Sequence, residues 1–139
     1  MTLERITDKL VEMTPFVLSI LRVVVGFLFF LYGTSHLFGW PSTSHLQPFG
    51  TLQWWAGVIE LVCGGAIVIG FGTRPCAFIA SGAMAFAYFA ILQPRGLFPI
   101  QNNGDAAVLY SWIFLLLVFT GGGAISVDEA LKRKFRSSE

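Results

Sequence analysis

Four continuous apolar runs, at residues 16–38, 54–71, 75–92 and 106–121, constrain this chain more than any other feature. Each is close to the ~20 residues that an α-helix needs to cross a hydrocarbon core. None alternates apolar with polar residues as a membrane-crossing strand does. Pro15 and Pro75 stand where a first helical turn tolerates a missing amide hydrogen. The connecting segments are short and rich in Gly, Pro, Ser and Asn, which is how compact helix bundles are joined. Composition agrees: 55% of the 139 residues are hydrophobic and 12% charged, against about 25% charged in soluble domains. The expected fold is all-α, a four-transmembrane-helix bundle forming one domain over residues 1–139. The formal charge of +1 argues against nucleic acid as a partner and leaves membrane lipids as the first one expected.

The flanks carry their own signals. Leu3, Ile6, Leu10 and Met13 recur at helical spacing beneath a charged face, which predicts a short interfacial helix at the N-terminal end. Ser126 and Glu129 fit a capping box that opens a second short interfacial helix, ending in Lys132, Arg133, Lys134 and Arg136. That basic cluster is either a lure for anionic lipid or only a topology signal. The first run is expected to be retained and not cleaved as a signal, since Glu4, Asp8 and Glu12 precede it and no small-residue cleavage site follows. Arg5, Lys9, Arg74 and the C-terminal cluster fall on one side of the spans and only Arg95 on the other. The positive-inside rule therefore predicts both termini in the cytoplasm of a protein of the inner membrane.

Two ionisable residues lie within the runs, Arg22 and Glu60. An acid or base at mid-helix costs roughly 2.5 to 3.5 kcal/mol on insertion scales, so such groups face a partner, a bundle interior or water. Arg22, Gly26, Phe29, Gly33 and His36 follow helical steps and form one stripe; Gly57, Glu60 and Gly64 form another. Membrane-helix glycines mark close backbone approach, so both stripes are expected to face inward. Counting along the helices, Glu60, Tyr32, His36, Tyr88 and Tyr110 fall in the outer half, with Gln93, Asn102, Asn103 and Asp105 at the outer rim. Together they predict a small polar pocket. Helical side chains lean toward their own N terminus, which carries Arg22 inward and Glu60 outward. Two readings of Arg22 stay open: an ion pair with Glu60 across staggered helices, or a contact with inner headgroups.

Plainer explanations stand beside these. His36 suits an interfacial position, the four tryptophans suit an aromatic belt, and Glu60 suits a neutral structural acid bonded to a tyrosine. Cys63 and Cys76 are not a CxxC pair, two histidines do not make a haem site, and no zinc spacing or phosphate-binding glycine loop occurs. No metal and no covalently bound cofactor is expected.

The residues also carry a resemblance. Leu21-Arg22 with Gly26 and Gly33, Leu37 to Trp40, Gly57-x-x-Glu60-Leu61-x-x-Gly64-Gly65, Gly70-x-x-Thr73-Arg74-Pro75-x-Ala77, Phe98 to Asp105, and 121–126 before Asp128 follow one another in an order that resembles the DoxX family of small four-helix membrane proteins. The chain departs from the family pattern at His36, commonly a lysine, and at Asp105, commonly a glutamate. The resemblance implies a membrane subunit or accessory of an oxidoreductase system; related proteins belong to a thiosulfate:quinone oxidoreductase, and others are linked to oxidative stress and quinone detoxification. It implies architecture more firmly than chemistry.

The leading expectation is therefore a membrane subunit that binds a quinone-like or other small apolar ligand in the outer-half pocket, working with a redox protein partner or as a homo-oligomer. Quinone reduction takes up protons with electrons, so Glu60 is the expected catalytic proton donor, and Tyr32, His36, Tyr88, Gln93, Asn103 and Asp105 are the expected ligand-binding residues. The chain is then either an enzyme or a non-catalytic subunit of a quinone-linked oxidoreductase. Two alternatives remain: a small-solute carrier or permeation protein, and a membrane scaffold or assembly factor without a ligand.

Overall fold

A computed structural model of the protein describes residues 2–138. The described residues form helices and no strand: α1 (Leu3–Phe38), α2 (Leu52–Ile69), α3 (Thr73–Ala87), α4 (Pro99–Asn102), α5 (Asp105–Thr120) and α6 (Val127–Arg136). A π-helical turn, Tyr88–Leu92, and a 3-10 turn, Gln93–Arg95, prolong α3, and a 3-10 turn at Thr43–His45 follows α1. Three helices are long and apolar enough to cross a membrane: Leu3–Phe38, Leu52–Ile69 and Thr73–Arg95. The fourth apolar helix, Asp105–Thr120, has 16 residues; at ~1.5 Å per residue it reaches about 24 Å, short of a ~30 Å hydrocarbon core.

The separate N-terminal interfacial helix does not exist. Its residues are the first turns of α1, which runs unbroken through Pro15 for 36 residues. Proline removes one helical hydrogen bond, the one its nitrogen would donate to Val11 O, while Pro15 O accepts from the Ser19 hydroxyl at 2.9 Å and from the Ala124 amide, in the segment after α5, at 3.3 Å. With no glycine before residue 26, nothing else interrupts the helix. At the other terminus the expected N-cap is present: Ser126 Oγ accepts from the Glu129 amide at 3.2 Å and opens α6 as a helix of its own.

The two inward stripes are buried as their periodicity predicts. Arg22, Gly26, Phe29 and Gly33 on α1 and Gly57, Glu60 and Gly64 on α2 are all buried. Helices α1 and α2 meet backbone to backbone. A Cβ added at Gly33 sits 2.5 Å from Leu61 N, and one added at Gly64 sits 2.7 Å from Phe30 N. Against α5, by contrast, α1 is spaced by rings: Phe29, with no exposed surface, lies 4.7 Å from Phe114 and 5.7 Å from Tyr110 between centroids. Helices α3 and α5 are stitched by reciprocal bonds, Ser81 Oγ donating to Ser111 O at 2.8 Å and Ser111 Oγ to Ser81 O at 3.1 Å.

Arg22 forms neither the ion pair nor the headgroup contact. It is 2% exposed, and its guanidinium donates to four backbone carbonyls: Nε to Gly122 at 2.8 Å, Nη1 to Ile67 at 2.6 Å and Val68 at 2.7 Å, and Nη2 to Ile125 at 2.6 Å. Two of these carbonyls belong to the last turn of α2, where a helix leaves its acceptors unpaired and its dipole favours a cation. The other two belong to the glycine-rich segment after α5. Lysine could not serve here, since the planar fork reaches acceptors in several directions at once. Gly70 makes room for it: the backbone there is left-handed at φ +74°, and an added Cβ would stand 2.7 Å from Arg22 Nη1.

Asp128 completes this end of the bundle. Its two carboxylate oxygens accept the amides of Gly72 and Thr73, each at 2.9 Å, at the start of α3. Partial burial alone pushes its carboxyl up, but those two amides and nearby Lys132 outweigh burial and hold it below the usual carboxylate value. A carboxyl lowered on folding stabilises the fold at pH above the unfolded value of about 3.9, and the contribution is lost as pH falls through the lower folded value. Thermal melting from pH 7 to 3 should show Asp128→Asn less stable than the parent by about 1–2 kcal/mol near neutrality, with the gap closing below about pH 4.

Candidate functional site

Glu60 is the ninth of the 18 residues of α2 and therefore sits at mid-helix. Antiparallel packing puts Gly26 beside Ile67 and Val68, Phe30 beside Gly64, Gly33 beside Leu61, and His36 beside Gly57. In that register His36 and Glu60 are about one helical turn apart in level. Each side chain leans toward the N terminus of its own helix, and in antiparallel neighbours those leans converge. His36 Nδ1 lies 2.6 Å from Glu60 Oε2. Glu60 is 4% exposed and His36 half-buried, so the charged or neutral pair shares a proton in surroundings of low polarity. The same rule explains Arg22, which leans away from Glu60 toward the far end of α1.

The aromatic neighbours lie on one side of this pair. The Tyr32 ring is 6.3 Å from His36 and 6.2 Å from Tyr110, and the His45 ring is 6.0 Å from His36 and 5.8 Å from Tyr32. His45 reads as a loop residue in the sequence. It arrives here because the loop folds back over the end of α1, the Gln47 amide donating to His36 O at 2.9 Å. No spacing in the sequence announces that return.

A groove of about 360 Å³ opens on the other side of the pair, between α2 and α3. Glu60 and His36 lie among its walls, which are otherwise almost wholly apolar; Ile59, Met84, Ala87 and Ile91 are typical. Trp55, Ile79 and Phe86 at its edge are 56%, 49% and 55% exposed, so the groove opens laterally on the bundle surface. The expected polar pocket shared by all four spans is therefore replaced by an apolar slot between two helices.

The remaining expected residues are dispersed. Tyr88 packs over Gly104, whose added Cβ would meet its ring at 2.7 Å, and stands 5.2 Å from Phe89 between centroids. Gln93 is half-buried in the 3-10 turn after α3, and Asp105 is exposed in the first turn of α5. Asn103 is exposed with a left-handed backbone, φ 56°. It is the neighbour, Asn102, that is buried and bonded, Nδ2 donating to Gly96 O at 2.9 Å and Oδ1 accepting from the Gly104 amide at 2.8 Å. The pair Asn-Asn before glycine does hold the clue. Asparagine tolerates the left-handed residue that ends a helix, which assigns the second asparagine to the backbone and frees the first to bond. Tyr88, Gln93, Asn103 and Asp105 do not line the groove; of the expected residues only His36 and Glu60 do, with Tyr32 against the far side of His36.

A family model described as DoxX matches residues 17–93, which include Arg22, His36, Glu60 and both walls of the groove. A protein of Haemophilus influenzae described as an uncharacterized protein is 38% identical over 133 residues, covering 91% of this chain and 99% of that protein. No solved structure matches the chain.

Proposed function

The chain belongs to the DoxX family of membrane proteins, and from that premise we propose that it binds a quinone-like apolar ligand between α2 and α3 as the membrane subunit or accessory of a redox system. The observation that carries this reading is the juxtaposition of an apolar lateral groove with one hydrogen-bonded acid–histidine pair. The volume of about 360 Å³ suits a single small ring system. A lateral mouth admits a ligand dissolved in the bilayer and leaves its apolar tail in lipid. Reducing a quinone to a quinol takes two electrons and two protons. A redox partner supplies the electrons; Glu60 and His36 hold protons at hydrogen-bonding reach of a carbonyl oxygen in the groove. His45, exposed beside His36, offers a route by which the pair is reprotonated from the aqueous side.

In the membrane we propose four crossings, with α5 as the fourth, and both termini in the cytoplasm of the inner membrane. Residues 11–18 of α1 and 126–136 around α6 border one groove, which supports placing both terminal segments on one side. The basic residues Arg5, Lys9, Arg74 and Lys132 to Arg136 gather at that end, as the positive-inside rule favours for the cytoplasmic face. A short-tailed ubiquinone titrated into nanodiscs holding the protein should quench Trp55 saturably. The saturable part should vanish in Trp55→Phe, and Glu60→Gln should weaken binding about tenfold, the worth of one strong hydrogen bond. Absence of saturable quenching, or indifference to both substitutions, would exclude this reading.

A further inference from the structure

At the end of the bundle that carries the termini lies a second and larger groove, of about 1230 Å³, bounded by α1, the start of α3, the segment after α5, and α6. We propose that it is a binding site for one anionic phospholipid, with the phosphate among Arg74, Lys132 and Arg136 and an acyl chain along Val11, Leu18 and Leu131.

The charges of the groove are sorted in a way that leaves cations available. Its two acids are already engaged: Asp128 accepts the amides of Gly72 and Thr73, and Glu129 lies 3.7 Å from Arg133 Nε. Arg74 lies over Gly121, where an added Cβ would be 3.4 Å from its Nε, and Lys132 and Arg136 stand one turn apart on α6. These three basic side chains border the groove, and among the described residues none has an ion pair within it. The apolar lining begins directly beside them. Leu18 and Thr120 belong to the membrane-crossing stretch of α1 and to the last turn of α5, so the groove passes from headgroup level into the depth of acyl chains. Its volume exceeds the roughly 300–1,000 Å³ usual for small-molecule pockets.

That combination selects the occupant. A second copy of this chain would bring the same three cations against these, and a soluble acidic protein has no segment to offer the apolar wall beside α1. An anionic phospholipid has both a negative phosphate and a chain, and it is at hand in the leaflet. The glycines 121–123 keep the groove open, since an added Cβ at Gly122 would stand 3.0 Å from Ser126 Cβ and draw the α6 start out of place.

Native mass spectrometry of the protein released from neutral detergent, with phosphatidylglycerol and phosphatidylcholine in equal amount, tests the proposal. One phosphatidylglycerol per chain should be retained in clear preference to phosphatidylcholine, and glycerol phosphate, which lacks the chains, should not displace it. Arg74→Gln/Lys132→Gln/Arg136→Gln should lower retention on the order of a hundredfold, each cation near a membrane surface being worth about fivefold. Arg5→Gln/Lys9→Gln/Lys134→Gln, which removes equal charge outside the groove, should leave retention unchanged, and helical circular dichroism shows that both variants fold. Equal retention of the two lipids, equal losses in the two triple variants, displacement by glycerol phosphate, or dimers in place of lipid adducts would each overturn it. Quinone quenching at Trp55 reads the other groove and is independent of these outcomes.

Discussion

Arg22→Leu should cost the protein about 3–5 kcal/mol, the largest loss expected from a single substitution. The guanidinium holds four carbonyls from two separate segments, and leucine takes the donor from Val68, Gly122 and Ile125 while Ile67 O keeps only the Gly70 amide at 3.1 Å. Removing one member of a buried charged arrangement typically costs that much, because the acceptors left behind keep their desolvation penalty of about 1–3 kcal/mol each where water cannot enter. Arg22→Lys should recover less than half, since a single ammonium cannot span acceptors lying along three directions of the fork. Thermal unfolding in detergent followed by circular dichroism at 222 nm measures the loss. Hydrogen exchange locates it: amides of residues 121–126 should become the fastest gainers of exchange, as only Ser19 Oγ, accepting from the Ile125 amide at 3.0 Å, and Pro15 O, accepting from the Ala124 amide at 3.3 Å, would be left to tie that segment to α1. A loss under about 1 kcal/mol would mean that water replaces the guanidinium and that Arg22 is not the clasp described here.

Gly33→Leu is the second large effect, and it joins stability to the site. A Cβ at this position meets Leu61 N at 2.5 Å, Leu61 Cα at 2.8 Å and Gly57 O at 2.9 Å. All three are backbone atoms, so no side chain can swing aside; the helices must part. Overpacking costs about 1–3 kcal/mol for small additions, and alanine should fall in that range while leucine exceeds it. Because Gly33 lies one turn from His36 on the same face, parting α1 from α2 also stretches the 2.6 Å contact between His36 and Glu60. Solid-state NMR of ¹⁵N-labelled His36 should therefore lose the Nδ1 hydrogen-bond signature in Gly33→Leu, together with saturable quinone quenching. Gly82→Ala is the matching control. Nothing stands within 4 Å of its added Cβ, and replacing an exposed helical glycine by alanine should be neutral or stabilising by up to about 1 kcal/mol. Equal effects at positions 33 and 82 would show that backbone contact between α1 and α2 is not what seats the pair.

Much of the architecture was legible because it is written in local patterns. Apolar length marked the helices, and Ser126 with Glu129 marked the start of α6. Pro15 misled: read as the first turn of a helix, it proved to be an interior residue, with its carbonyl accepting from Ser19 Oγ and the Ala124 amide. The site was legible only in its centre. Helical steps of three and four put Glu60 and His36 on the inner faces, and they meet. Tyr88, Gln93, Asn103 and Asp105 were placed by depth alone, and depth says nothing about which way around the bundle a residue points.

Periodicity determines the angle at which a side chain leaves its own helix, and so the sequence by itself determined which residues of α1 and α2 are buried. It holds no comparable statement about how far one helix slides along another, or where a loop comes down. Those offsets decide partners. The slide set by glycines 26, 33 and 64 against the backbone of the facing helix brings Glu60 to His36 and leaves Arg22 beyond the end of α2, among carbonyls. The fold-back of Gln47 onto His36 brings in His45, and the way α2 and α3 pack leaves the lateral groove between them. Helix-face preference is a one-body property of a segment, whereas register and loop return minimise the packing energy of several segments at once, and that is why only the tertiary structure decided them.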